Sequence, residues 1–208
     1  MKGIILAGGL GTRFYPATLA VCKQLLPIYD KPMIFYPLSV LMLAKIRDIL
    51  IISNKSDLPK FKRLLGNGKL LGINISYSIQ KKPRGLVDAF IVGRKFIKDD
   101  NVSLILGDNL FYGDGLPKLL EESISYVNRN NKAVVFSYTV SNPSKYGIIK
   151  EKKNRIYSLV EKPKKSKSKE AVTGLYIYPN DVINYSKKIS PSRRNEIEIT
   201  DLNKLYLK

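Results

Sequence analysis

The sequence predicts an α/β fold of the three-layer, Rossmann-like type: a mostly parallel, mixed sheet with helices packed on both faces. Three observations carry that expectation. Short apolar runs at 4–7, 49–53, 75–77 and 103–106 have the length and composition of buried parallel strands. Stretches of helical spacing at 33–45, 58–65, 86–96 and 116–127 alternate with them, as in a parallel sheet covered on both sides. A glycine-rich turn follows the first run. After residue 131 the pattern becomes richer in strands, at 133–140, 147–151, 157–160 and 171–178. Helices at 181–187 and 199–207 end the chain, the second with Ile199, Leu202, Leu205 and Tyr206 on one face. With no internal repeat and no linker, the 208 residues are most simply one domain.

The turn after the first strand has the residue types of a phosphate-handling loop. Gly8, Gly9 and Gly11 let the backbone turn tightly and bring its N–H groups close to a ligand. Arg13 and Lys23 add fixed positive charge, and amides plus cations are what a nucleoside triphosphate needs. Two commoner phosphate motifs do not fit. A Walker loop starting at Gly8 would need Lys and Ser or Thr where Arg13 and Phe14 stand, and a Rossmann fingerprint from Gly9 and Gly11 would need a small residue at Phe14. Taken alone, the loop is equally a strand-to-helix turn with no ligand.

Composition narrows the class without naming a reaction. At 44% hydrophobic the chain can bury a sizeable core. No segment has the length and polarity of a transmembrane helix, and the first residues enter a strand rather than a signal peptide, so a cytoplasmic enzyme without membrane partners is expected. Cys22 is the sole cysteine, and with no His to activate it a packed small residue is expected rather than a nucleophile. The formal charge of +19 sits largely in lysine-rich stretches such as 162–169, read as a solvated loop. The basic residues lack the aromatic interleaving of a single-strand binder and form no recognition helix, so no nucleic-acid partner is expected.

Further candidates lie where strands end. Asp108 follows the run 103–106 and Gly107, so its carboxylate should emerge at the strand's carboxyl end, where open parallel sheets bind ligands. A hard carboxylate there suits Mg²⁺ on a triphosphate, though Asp108-Asn109 also suits a simple turn. Gln80 offers both a donor and an acceptor to a base edge, while Pro83-Arg84-Gly85 by itself is an ordinary turn before a helix. Glu161-Lys162, taken alone, is more often a solvated pair at a strand end.

Order along the chain adds more than any one motif. Leu6-Ala7-Gly8-Gly9-Leu10-Gly11-Thr12-Arg13, Lys23-Gln24-Leu25-Leu26-Pro27, Lys31-Pro32-Met33, Leu106-Gly107-Asp108-Asn109, Glu161-Lys162-Pro163 and Val172-Thr173-Gly174-Leu175-Tyr176 follow one another as in the sugar-1-phosphate nucleotidylyltransferases. The chain resembles that family from Met1 to Lys208, and most of all its thymidylyltransferase branch. The resemblance implies Mg²⁺-dependent transfer of a nucleotidyl group from dTTP to glucose 1-phosphate, giving dTDP-glucose and pyrophosphate. It implies a nucleotide-binding half over about 1–130 and a sugar-phosphate half over 131–208. Leu6, Gly8, Gly9, Gly11, Thr12, Arg13 and Gln24 would surround the triphosphate, with Arg13, Lys23 and Lys162 catalytic. Gln80, Pro83 and Gly85 would read the base, and Asp108 would touch the nucleotide and hold the metal. Asn109, Tyr146, Gly147, Glu161, Lys162, Val172 and Gly174 would line the hexose-phosphate pocket.

Three departures stand out. Family members continue past the match to Glu196-Ile197-Glu198-Ile199-Thr200-Asp201, through a second metal-binding aspartate and helices used in oligomer contacts. The expectation is therefore a site with one of two protein carboxylates. Such a chain is expected to be an enzyme of full or reduced activity, as a homo-oligomer or completed by a separate C-terminal polypeptide, or else a binding-only member or a fragment of a longer gene product. Leu10 replaces a small polar residue, and Asp88 stands where relatives often carry Gln; Asp88 either faces the nucleotide or lies on the solvent side of its helix.

Overall fold

The computed structural model describes every residue except Leu10, Pro83, Asn154, Arg193 and Lys208. The first unit runs β1 (Lys2–Leu6), a short hairpin of β2 (Pro27–Ile28) and β3 (Lys31–Pro32), then α1 (Phe35–Leu43). β4 (Asp48–Ser53), α2 (Leu58–Leu65), β5 (Asn74–Ile79), α3 (Asp88–Val92), α4 (Arg94–Ile97), β6 (Val102–Leu106) and α5 (Leu116–Asn130) follow. β7 (Val134–Thr139), β8 (Gly147–Lys152), β9 (Arg155–Glu161), β10 (Glu170–Tyr178), α6 (Val182–Ser186) and α7 (Ile199–Leu205) complete the chain.

Eight strands form one mixed sheet in the order β5-β4-β1-β6-β10-β8-β9, with β7 on the other edge of β10. The pairs β5/β4, β4/β1 and β1/β6 are parallel; those of β10 with β6, β7 and β8, and of β8 with β9, are antiparallel. The sheet is thus mixed as expected, its parallel part lying in the first half of the chain.

The continuous apolar runs are explained by two-sided burial. Successive residues of a strand point to opposite faces, so a strand covered on both sides must be apolar at every position. Ile5, Ile49 and Ile51 join a core with Leu38 and Leu41 of α1, Phe61 of α2 and Leu120 of α5. Their neighbours Ile4, Leu50 and Ile52 join a second core with Phe90, Ile97, Val182 and Leu202, from α3, α4, α6 and α7. These are the three layers. Among the described residues, no helix is long and apolar enough to cross a membrane.

One expected element is corrected. The helix foreseen at 86–96 is two short helices parted at Gly93. A Cβ there would stand 2.9 Å from both the Ala89 carbonyl oxygen and Ile4 Cδ1, so the backbone is pressed too closely on β1 for a side chain. The three 3₁₀ turns at Thr12–Phe14, Ala17–Leu19 and Lys23–Leu25 carry no periodic signal and were not foreseen. The basic stretch 162–169 is mostly exposed loop, as expected.

Because Ile4 and Ile5 are both fully buried but serve different cores, Ile4→Val and Ile5→Val should each cost about 0.5–1.5 kcal/mol. The double variant should lose the sum within about 0.5 kcal/mol. Urea denaturation of the three variants checks this; a strongly non-additive double variant contradicts two separate cores.

Candidate active site

β1 and β6 end side by side, and the ladder continues one step beyond them, with Ala7 N–H donating to Ile52 O at 2.7 Å and Gly107 N–H to Leu6 O at 2.9 Å. Gly8, Gly9 and Asp108 therefore emerge together. They open into a cleft of about 420 Å³ that Leu6, Gly8, Gly9, Arg13, Gln24, Gln80, Gly85 and Asp108 share with Glu161 and Lys162. A smaller hollow of about 170 Å³ adjoins it, bounded by Gly11, Thr12, Phe14 and Lys23 together with Gly9, Arg13, Gln24 and Asp108. Residues far apart in the sequence meet at this one place, from Gln80 and Asp108 on one wall to Glu161 and Lys162 on another.

The glycine loop has a cradle's geometry. Gly11 sits at φ +65°, with Phe14 N–H donating to its carbonyl at 2.8 Å and Thr18 Oγ1–H at 2.7 Å. Among the described residues, no backbone acceptor outside the regular elements takes the amides of Gly8, Gly9, Gly11, Thr12 or Arg13, which suits an anion-binding turn. Leu10, the departure noted in this loop, and Pro83, expected to read a base, lie outside the described residues.

Lys23 Nζ donates to Asp108 Oδ2 at 2.8 Å and lies 4.4 Å from the centre of the Phe14 ring. Asn109 clips Asp108 to the far half of the sheet: its Nδ2 donates to Asp108 Oδ1 at 3.1 Å and its Oδ1 accepts from Gly174 N–H at 3.0 Å. Gly174 must be glycine, since a Cβ would fall 2.6 Å from Asn109 Oδ1. It lies at the irregularity between Val172 and Tyr176, where the neighbour along one edge of β10 changes from β6 to β8. Gln24 is buried and accepts the Cys22 thiol proton at 3.0 Å. Burial pushes the Cys22 thiol up to about 11, which agrees with a packing role.

The opposite wall was only partly foreseen. Glu161 Oε2 accepts from Thr200 Oγ1 at 2.5 Å, and Glu161 Oε1 from Arg194 Nη2 at 3.1 Å. Lys162, at φ +39°, reaches the same carboxylate at 3.7 Å. Arg194 also donates from Nη2 to both oxygens of Glu198, each at 2.7 Å, which holds its guanidinium above the ordinary range. Arg194, Glu196 and Glu198 line the cleft; the sequence reading missed them because Arg193-Arg194-Asn195-Glu196 looks like solvated surface. The segment is held by Ile197 N–H donating to Arg84 O at 2.7 Å. Gly85, at φ +105°, lets it approach: a Cβ would overlap the Ile197 carbonyl oxygen and stand 2.7 Å from the Ile197 nitrogen.

Five expected sugar-side positions, Asn109 of the clip among them, lie beside the cleft rather than on its wall. Tyr146 is 43% exposed and its backbone carbonyl accepts from Lys162 N–H at 3.0 Å. Gly147 makes room for the Glu161–Thr200 pair, a Cβ there falling 2.8 Å from Thr200 Oγ1. Val172 packs its side chain on the second core, and Gly174 serves the Asn109 clip. Asp88 does not lie on the solvent side of its helix: it is 2% exposed and accepts from Gln80 and Arg84.

Asp108, at the end of β6 beside the glycine loop, is a carboxylate chemically suited to a hard cation. Among the described residues, no three His, Cys, Asp or Glu side chains cluster as a metal site. A single carboxylate fits Mg²⁺, which commonly takes one or two carboxylates and completes its shell with phosphate oxygens and water.

Comparison with known proteins agrees with this geometry. The family model described as nucleotidyl transferase matches residues 2–208. A glucose-1-phosphate thymidylyltransferase of Neisseria meningitidis serogroup A is 54% identical over all of this chain, which spans 71% of that relative's length. The crystal structure of a Bacillus anthracis protein described as a glucose-1-phosphate thymidylyltransferase, in complex with sucrose, superposes with a TM-score of 0.90 at 39% identity, covering all of this chain and 82% of that one. A UDP-glucose pyrophosphorylase complexed with UDP-glucose gives 0.84 at 30% identity, covering all of this chain and 86% of that one. The chain belongs to the nucleotidyl transferase family and is an enzyme of that class.

Two outcomes follow. Gly85→Ala combines strained φ with a backbone clash and should cost about 1–3 kcal/mol from the backbone alone. Gly9→Ala, which meets nothing within 4 Å, should stay within about 0.5 kcal/mol; chemical denaturation of both checks the contrast. The Cys22 thiol is raised from 9.0 to about 11 on folding, so its contribution is complete below pH 9 and is lost as pH rises toward 11. The stability difference between the native chain and Cys22→Ala should be flat below pH 9 and shift against the native chain above it, read from denaturation midpoints across that range.

Proposed function

We propose that the chain transfers the thymidylyl group of dTTP to glucose 1-phosphate, giving dTDP-glucose and pyrophosphate. The observation that carries this reading is the convergence in one cleft of an amide-rich glycine loop, Arg13, Gln80, Asp108, Glu161 and Lys162. The thymidylyltransferases among its relatives favour dTTP, and the half before residue 131 would hold the nucleotide while the half after it holds the sugar phosphate.

In this reading the amides of Gly8, Gly9, Gly11 and Thr12 take the triphosphate oxygens, and Gln80 and Gly85 face the base. Lys162 holds the sugar phosphate and Glu161 accepts from sugar hydroxyls, exchanging its present partners Thr200 and Arg194. One oxygen of the sugar 1-phosphate forms a bond to the α-phosphorus while the bond to the β-phosphate bridge breaks, and pyrophosphate leaves with that electron pair. The attacking oxygen is already ionised near neutral pH, so no side chain must remove a proton. Catalysis then rests on alignment and on cations placed where charge moves, namely Arg13, Lys23 and Lys162. Proteins of this family are generally metal-dependent; Mg²⁺ held by Asp108 would supply charge neutralisation on the phosphates.

The test is pyrophosphate release with dTTP, glucose 1-phosphate and Mg²⁺. Arg13→Ala and Lys23→Ala should each lower kcat roughly 10²–10³-fold, Lys162→Ala should raise KM for glucose 1-phosphate, and Asp108→Ala should abolish turnover. Full turnover by Asp108→Ala removes it as the metal anchor. Binding of dTTP or dTDP-glucose without any turnover by the native chain replaces the transferase reading with a binding role.

A further inference from the structure

Asp88, on α3, is a carboxylate set among apolar neighbours: Val87, Ala89 and Phe90 are fully buried, and Asp88 itself is 2% exposed. Two donors serve it. Gln80 Nε2 reaches Oδ2 at 3.0 Å, and Arg84 Nη2, from a side chain 59% exposed at the rim, reaches Oδ1 at 2.8 Å. The arginine supplies the countercharge without which a buried carboxylate is costly.

The pairing fixes more than position. A carboxamide has two faces that exchange on a half-turn, one donating and one accepting; an ionised carboxylate only accepts, so it admits Gln80 by its NH₂ side alone. The other side is thereby set. A Cβ built on Gly8 would lie 3.2 Å from Gln80 Oε1, so this oxygen sits against the first glycine of the phosphate loop. Among the described residues no donor reaches Gln80 Oε1, and Gly8 and Gln80 both line the cleft.

We propose that Asp88 is the positioning residue for base selection: by holding the Gln80 amide nitrogen it turns the Gln80 carbonyl oxygen toward the nucleobase. An acceptor at that point selects bases that carry N–H at N3, thymine and uracil, and rejects cytosine, whose N3 is itself an acceptor. The inference rests on the nucleotide reading of the cleft and names what chooses the base.

Isothermal titration of dTTP, UTP and dCTP into the native chain and Asp88→Asn separates the two. The asparagine side chain of that variant can present either an oxygen or an NH₂ to Gln80, so the amide is free to turn. The native chain should bind dTTP and UTP about tenfold or more tighter than dCTP, and Asp88→Asn should bring that ratio toward one. A purely structural role would weaken all three alike and leave the ratio intact, which overturns the proposal. No binding of any triphosphate by the native chain overturns the nucleotide reading instead. Should Asp88→Asn fail to fold, dTTP methylated at N3 tests the native chain directly: a loss of about tenfold or more against dTTP supports an acceptor at the base, and equal binding overturns it.

Discussion

The seam between Ile197 and Gly85 is the contact on which the cleft depends. The loop after β5, residues 80–85, comes from the edge of the parallel half of the sheet, and Glu161 and Lys162 come from the antiparallel half. Segment 194–200 spans both: Ile197 is bonded to Arg84 on one side, and Arg194 and Thr200 hold Glu161 on the other. Magnitudes say which of these forces holds it down. Ion pairs by half-exposed groups such as Arg194 are worth about 0–1 kcal/mol, whereas burying Ile197, Ile199 and Leu202 in the second core contributes roughly 1.5–3 kcal/mol each. Apolar burial anchors the segment, and the charged contacts decide which way its side chains face.

What the sequence made legible was local. The strand of β1, its glycine turn and the carboxylate after β6 are read from consecutive residues, because a two-sided buried strand is apolar throughout and a tight turn needs glycine. What it hid was set by distant partners. Gly93 resembles a tolerated helix glycine until β1 is seen against it. Gly85 resembles a turn residue until Ile197 occupies the space a Cβ would need. Arg194 stands in a polar run as surface residues do, and the place of Arg194 and Glu198 on the cleft wall follows from the burial of Ile197 and Ile199. Asp88 was the hardest: consecutive residues leave open whether it faces a ligand or solvent, and its burial depends on two donors, one of them eight residues earlier in the chain.

The sugar-side residues show the same division. Tyr146, Gly147, Val172 and Gly174 stand near the cleft, yet the contacts they make are with the framework. Gly147 and Gly174 leave space for the side chains of Thr200 and Asn109, which steer Glu161 and Asp108. A glycine near a site can thus serve by admitting a side chain rather than by exposing its own backbone.

The cleft also resolves the tension between a charge of +19 and a site that must hold its cations still. Unpaired lysines and arginines crowded around a hollow would repel one another and sample many rotamers, and ordering them on substrate arrival would cost entropy. Here Lys23 is held on Asp108, Lys162 lies near Glu161, and Arg194 grips Glu198. An ammonium has three donors, so Lys23 can keep Asp108 and still offer protons to an anion beside the glycine loop. The carboxylates therefore work as fixed placeholders. In the proposed reading they order these cations before phosphate binds.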